Sequence, residues 1–249
     1  MIVHDARNPR AVDLATAVAE LHPALAEDGG LTAVIGGDGF LLHTVHEHGF
    51  DRCYLPLNAG TLGFLLNDVQ GRLPEVVEAI AAGRLEEHRF PLLKATATRI
   101  DGSVVVDHAM NDVYLERASG QTARLRITID GQRLIEQLTA DGLIFATALG
   151  STAYSFSAGG TPCELGLPVL CVTPICPHKP RMAPFILQYG ATARVDVLSP
   201  EHRPVRVVID GRDVSDITAL QIGPTSATVR MVYLEGHRFT AQMVKKLLT

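Results

Sequence analysis

Residues 33–42 read AVIGGDGFLL, an apolar run that breaks on three glycines around one carboxylate and resumes with Phe40, Leu41 and Leu42. Ala33, Val34 and Ile35 have the character of the end of a buried strand, and the residues after the glycines have helix-compatible spacing. The glycines therefore stand at a strand-to-helix turn, which commits this part of the chain to an α/β arrangement. Such a turn gathers backbone N–H groups at a helix N-terminus, which favours an anion, and the missing Cβ atoms let a ligand approach the main chain. Asp38 is the odd member, because a carboxylate beside a phosphate repels it. It either holds a metal or accepts a proton or hydrogen bond from a nearby hydroxyl.

The same texture runs from residue 1 to about residue 90, where short apolar runs (Met1 to Val3, Leu31 to Ile35, Cys53 to Leu57) alternate with helical patterns. In the first helix Asn8 is the cap, Pro9 suits the first turn, Leu14, Val18, Leu21 and Leu25 recur at helical spacing, and Gly29-Gly30 are expected to end it. From Lys94 to Val232 the pattern changes to alternating or β-branched runs such as TATRIDGSVVVDH and VRVVIDGRDVSDITALQI, with Asp-Gly pairs suited to two-residue hairpins. The final HRFTAQMVKKLL is helical again, its VKKLL end carrying positive charge where a helix favours it. The expected division is an α/β N-terminal domain, Rossmann-like with a parallel sheet, over 1–93 with 233–249, and a β-rich, β-sandwich-like domain over 94–232. The class is α+β overall.

Several functions are excluded early. The net charge is −5 and no Lys/Arg run exists, which argues against nucleic acid as a partner. The most continuous apolar stretch, LGLPVLCVTPIC, is too short and too Pro-broken for a membrane span, so no membrane partner is expected. Cys53, Cys163, Cys171 and Cys176 form no C-x-x-C pair and read as core residues, and the opening MIVHDARNPR lacks the regions of a signal peptide. A reduced, cytoplasmic protein is expected. Gly37-x-Gly39 is followed by Leu42 where a dinucleotide fingerprint needs a small residue, no Gly-Lys-Ser/Thr is present, and ALGSTAYS lacks the G-x-S-x-G that would make Ser151 a nucleophile. His43, His46 and His48, with Cys53 beyond, offer metal ligands without the spacing of a zinc site, so a solvated helix face with His43 near the phosphates is the expectation.

Two further stretches are dense in polar groups. DGLIFATALGSTAYSFSAGG, residues 141–160, has an Asp-Gly turn leading into a buried strand and then Gly150, Ser151, Thr152, Ser155 and Ser157 among small side chains, with Tyr154 as a flat face for a base. A ligand-clamping loop and an ordinary small-residue turn are equally compatible with it. AMNDVYLER sets Asn111 and Asp112 beside an apolar strand, a pairing that by itself is more often a turn.

The order and separation of these stretches, with NAGTLGFL at 58–65 and TPICPH at 173–178, resemble the NAD kinase family over residues 31–212. The resemblance implies phosphorylation of the adenosine ribose 2′-hydroxyl of NAD to NADP, with ATP or polyphosphate as donor and Mg²⁺ or another divalent metal accompanying it. It implies that Asp38 is the base and that Asp38, Gly39, Asn111, Asp112, Thr152, Ala153, Tyr154, Ser155 and Ser157 hold NAD. It implies a homodimer or homotetramer in which Asp141 reaches the nucleotide of a neighbouring subunit. Gly36, Gly37, His43, Thr122, Thr139, Leu149 and Arg212 fall on the phosphate or donor side. Departures from the pattern are Phe40 where Thr is usual, Ala148-Leu149 for Pro-Thr, Asp112 for Glu, and Thr139 and Arg212 for Arg and Gln. Two other readings follow from the same residues: a GGDG-type kinase acting on a lipid or sugar hydroxyl, against which GSTAYSFSAGG speaks, and a non-catalytic NAD(P)-binding protein, which Phe40 and Leu149 keep open.

Overall fold

The structure is a computed structural model and describes residues 1–27, 29–60 and 63–247. In chain order its elements begin with β1 (Ile2–His4), α1 (Pro9–Leu21), β2 (Leu31–Gly36), α2 (Asp38–His48), β3 (Cys53–Asn58), β4 (Asn67–Asp68) and α3 (Leu73–Ala81). Then come β5 (Leu85–Arg99), β6 (Val104–Ala109), β7 (Asp112–Arg117), β8 (Ala123–Ile129), β9 (Gln132–Ala140), β10 (Gly142–Ala146) and α4 (Tyr154–Ser157). The last are β11 (Val169–Ile175), β12 (Phe185–Gln188), β13 (Ala193–Val197), β14 (Val205–Ile209), β15 (Arg212–Val214), β16 (Ile217–Leu234) and α5 (Phe239–Leu247). They form two compact units, Met1–Phe90 with Ala227–Thr249, and Pro91–Ser226.

In the first unit β1, β2 and β3 pair in parallel, and Arg230 and Met231 of β16 continue the parallel order beside Cys53 and Tyr54 of β3. The strands are near-continuous apolar runs because helices cover the sheet. Ala11, Ala15 and Val18 of α1 and Val76 and Ile80 of α3 join Ala33, Ile35, Leu55 and Leu57 in one core. Asn8 caps α1 by accepting from the backbone N–H of Arg10 at 3.1 Å. That helix stops at Leu21, eight residues before the expected glycines. His22 precedes Pro23, whose ring disfavours the helical region for the residue before it, and His22 takes φ −140° and ψ 73°. Pro23–Ala26 makes a single 3-10 turn that still buries Leu25.

The second unit is antiparallel. β13 pairs with β16 and β8, and β8 with β9; the other sheet runs β12-β11-β10-β7-β14-β15. Leu125, Ile127, Leu138 and Val195 from the first meet Val113, Leu115, Phe145 and Val207 from the second in a shared core, which is a sandwich. Asp130-Gly131 and Asp210-Gly211 both have positive φ at both residues, the requirement of a tight hairpin of right-handed twist. Asp141-Gly142 is different. Asp141 is a bend at the start of β10, and Gly142 is needed because a Cβ there would stand 2.1 Å from the carbonyl of Leu115 on β7. Among the described residues no helix is long and apolar enough to cross a membrane.

Candidate functional site

The glycine turn does join a strand to a helix. β2 ends at Gly36, Gly37 caps α2, and Asp38 is the first helical residue, where the positive end of the helix dipole stabilises its charge. Leu41 and Val45, one helical turn apart, are buried and fix α2 on the sheet. A Cβ on Gly37 or Gly39 would meet nothing within 4 Å, so these two glycines leave open space in front of the backbone. Gly36 does not: a Cβ there would stand 2.7 Å from the ring of Phe40, which covers it. Phe40 and the exposed His43 line a cleft of about 460 Å³ with His4, Arg7 and Gly39.

The Asp38 carboxylate accepts from the backbone of a second segment. Its Oδ1 accepts from the backbone N–H of Phe64 at 3.1 Å and of Leu65 at 3.0 Å, and its Oδ2 lies 3.0 Å from the Phe64 N–H. The donors belong to the NAGTLGFL segment, of which Thr61 and Leu62 lie outside the described residues. That loop is itself pinned. Asn58 accepts from Gly60 N–H at 2.8 Å, Asn67 donates to the carbonyls of Pro56 and Val232, and Tyr233 donates its hydroxyl to the carbonyl of Leu65 at 3.2 Å. Burial, and then the Asp38 charge, pushes the Tyr233 phenol above its ordinary range, so it remains a proton-bearing donor.

In the second unit, Asp112 begins β7 directly after Asn111, and both are buried. Thr147 closes the turn from one side, donating its hydroxyl to the carbonyl of Met110 at 2.6 Å and its N–H to that of Asn111 at 2.9 Å. Gly150 follows because a Cβ there would stand 2.1 Å from the Asn111 carbonyl oxygen. The Asn111 side-chain oxygen is buried and has no hydrogen-bond partner among the described residues. Burial first, and then the charge of Asp210, pushes the Asp112 carboxyl up to about 7.

The hydroxyls of residues 151–155 are spent largely inside the protein. Ser151 donates to the Ala148 carbonyl at 2.6 Å and accepts from Cys163 N–H at 2.9 Å, while Ser155 shares a hydrogen bond with Thr173 at 2.8 Å. Buried hydroxyls require such partners. Ala153, Tyr154 and Phe156 are half-buried and Ser157 is exposed, so these offer the accessible surface of the segment. Tyr154 meets Tyr114 edge to face and lines a cleft of about 530 Å³ together with Asp141, Arg117, Glu116 and Arg206. Asp141 is paired with Arg117 of its own chain at 2.8 Å. Leu149 is buried.

Thr122, Thr139 and Arg212 each meet partners within the second unit. Thr122 accepts from Arg203, Thr139 is bridged through its backbone to Lys179, and Arg212 pairs with Asp107 at 2.7 Å. Among the described residues no three His, Cys, Asp or Glu side chains converge in a way that could hold a metal, and His43 faces Glu47 at 3.8 Å. Cys163 and Cys171 are buried with sulfurs 3.5 Å apart, whereas Cys176 is exposed and is no core residue. Residue-level reading missed Asp210, Thr147 and Tyr233. The only signal for Asp210 was its Asp-Gly pair, which a hairpin alone explained.

Comparison with known proteins bears on both units. Residues 110–228 match the family model described as the ATP-NAD kinase C-terminal domain. The NAD kinase of Mesorhizobium japonicum is 37% identical over 218 residues, covering 86% of this chain and 83% of its own, and that of Brucella suis is 38% identical over 223 residues, covering 88% and 85%. Yeast NADH kinase, solved in complex with NADH, superposes with a TM-score of 0.84 at 26% identity over 99% of this chain and 85% of its own. An Archaeoglobus fulgidus NAD kinase solved with ATP shares the fold, with a TM-score of 0.76 at 20% identity over 99% of this chain and 97% of its own. A glycine turn with an oriented carboxylate in one unit, a buried Asn-Asp turn in the other and relatives spanning both have one common explanation: the chain belongs to the NAD kinase family.

Proposed function

We infer that this chain is an NAD kinase, transferring a phosphoryl group from ATP or polyphosphate to the 2′-hydroxyl of the adenosine ribose of NAD. The observation that carries the reading is the setting of Asp38. Backbone N–H donors from Phe64 and Leu65 and its place at the start of α2 fix the direction of its oxygens. In the transfer, the ribose oxygen bonds to the terminal phosphorus, the bond from that phosphorus to the bridging oxygen breaks, and the hydroxyl proton passes to Asp38. Phosphoryl transfer needs mainly positioning and charge neutralisation. The open backbone at Gly37 and Gly39 suits the donor phosphates, with His43 beside them. Asn111, Asp112, Ala153, Tyr154 and Ser157 would hold the dinucleotide, supported from beneath by Thr152 and Ser155.

A divalent cation such as Mg²⁺ fits best as a companion of the donor phosphates, where it would neutralise their charge; magnesium is often bound in this way rather than by an all-protein cage. The four cysteines form no C-x-x-C pair in the sequence, and we assign the protein to the cytoplasm. We assign it a homo-oligomeric active form, a dimer or tetramer, with Asp141 serving a neighbour's nucleotide. The test of function is direct. Pure protein with NAD, Mg²⁺ and either ATP or polyphosphate should form NADP by chromatography, and NAD binding without NADP from either donor would leave a binding protein instead.

A further inference from the structure

We propose that Asp210 is a positioning residue for the acceptor: its carboxylate gathers the three N–H groups of Met110–Asp112 and so builds the turn that holds the dinucleotide, with a second carboxylate set beside Asp112. The proposal rests on the NAD kinase reading only for the identity of the ligand.

Asp210 comes from the hairpin between β14 and β15, at φ +44°. Its Oδ2 accepts from Met110 N–H at 2.6 Å, and its Oδ1 accepts from Asn111 N–H at 2.9 Å and Asp112 N–H at 3.0 Å. In return the Asp210 N–H donates to the Asp112 carbonyl at 3.0 Å. Three consecutive N–H groups thus converge on one carboxylate, a demand that an ordinary hairpin does not make. Thr147 and Gly150 hold the backbone of the turn on the other side, and the Asn111 side-chain oxygen is buried without a partner among the described residues. The same carboxylate faces Asp112. Asp210 is the charged group that acts on Asp112, the phenols of Tyr114 and Tyr154 stand on its other side, and Glu116, Asp141 and Arg206 lie beyond those phenols. Burial and Asp210 together hold the Asp112 carboxyl near 7, so it gains its charge within the physiological range. A charged carboxylate accepts from a ribose hydroxyl more strongly than a neutral acid does. NAD affinity should therefore rise with pH through about 7.

The experiment is calorimetric titration with NAD between about pH 5.5 and 8.5, on wild type and Asp210→Asn, alongside kcat and KM where turnover is measurable. Asn tolerates positive φ, which spares the hairpin, but supplies only one acceptor oxygen and no charge. The expected result is a Kd for NAD raised about tenfold at pH 8, kcat changed far less than KM, and the inflection of Kd moved below that of wild type. An unchanged Kd and inflection, or a loss in kcat with KM constant, would overturn the proposal. Should Asp210→Asn fail to fold by thermal melt, Asp112→Asn decides the electrostatic half: an inflection that survives in it overturns that assignment. Absence of NADP in every assay would sink the kinase reading but not this one, because the titration reads NAD binding alone.

Discussion

Asp38 meets two demands at once, as the first residue of α2 and as the acceptor for the loop at Phe64 and Leu65. Asp38→Asn separates them. An amide oxygen can still take both N–H groups but cannot take a proton, so kcat should fall by about 10²- to 10⁴-fold while the Kd for NAD moves little. Steady-state rates with calorimetry check this, and unchanged turnover would remove Asp38 from the role of base. Asp112 makes a prediction of a different kind. Its carboxyl, ordinarily near 3.8, is held near 7 in the fold, so the folded state keeps a proton that the unfolded chain has lost, and stability falls as pH rises between those values. Asp112→Asn should therefore leave the Tm nearly unchanged at pH 4 and raise it progressively up to pH 7, with no further gain above. A Tm difference independent of pH would show that Asp112 is not the titrating group. Both aspartates were legible in the sequence as chemistry and illegible as environment. The partners of Asp38 lie 26 and 27 residues away, and those of Asp112 reach 98, so no local pattern announced a carboxylate clamped by backbone N–H groups.

At the scale of elements, glycine separates what binds from what folds. Gly39 lies in α2 with open space where a side chain would go, so Gly39→Ala should leave the unfolding free energy within about 0.5 kcal/mol of wild type while raising the KM of the phosphoryl donor. Gly150→Ala is the opposite case, because its Cβ would stand 2.1 Å from the Asn111 carbonyl oxygen and backbone must move. It should cost on the order of 3 kcal/mol and weaken NAD binding with it. Melting curves and donor kinetics on the pair distinguish the two roles. A Gly39→Ala protein with normal donor KM would remove the phosphates from that turn. Elements were readable where their rules are local. The cap at Asn8, the strand before GGDG and the Asp-Gly hairpins follow from residues that touch one another. The end of α1 was misjudged because Pro23 outranks the more visible Gly29-Gly30, and the 18 residues of β16 do not show in short alternating runs.

At the scale of the whole molecule, the open matter is which chain's Asp141 serves which nucleotide. Within one chain Asp141 pairs with Arg117 and lines a cleft with Tyr154, whereas the family resemblance assigns this aspartate to a neighbour's site. Complementation separates the two. Asp38→Asn and Asp141→Ala should each be nearly inactive alone. In a mixed dimer with a symmetric interface each subunit donates one residue and receives one, so if Asp141 acts across the interface one site regains both aspartates and the other carries both lesions. Random reassortment gives about half hybrids with one good site in two, so activity should recover to roughly a quarter of wild type at most. If Asp141 serves its own chain, every site in the mixture keeps one lesion and no activity returns. Subunit exchange must be shown independently by mass spectrometry of differently labelled variants, and exchange without recovery would return Asp141 to the Arg117 pair as a residue of its own subunit's cleft.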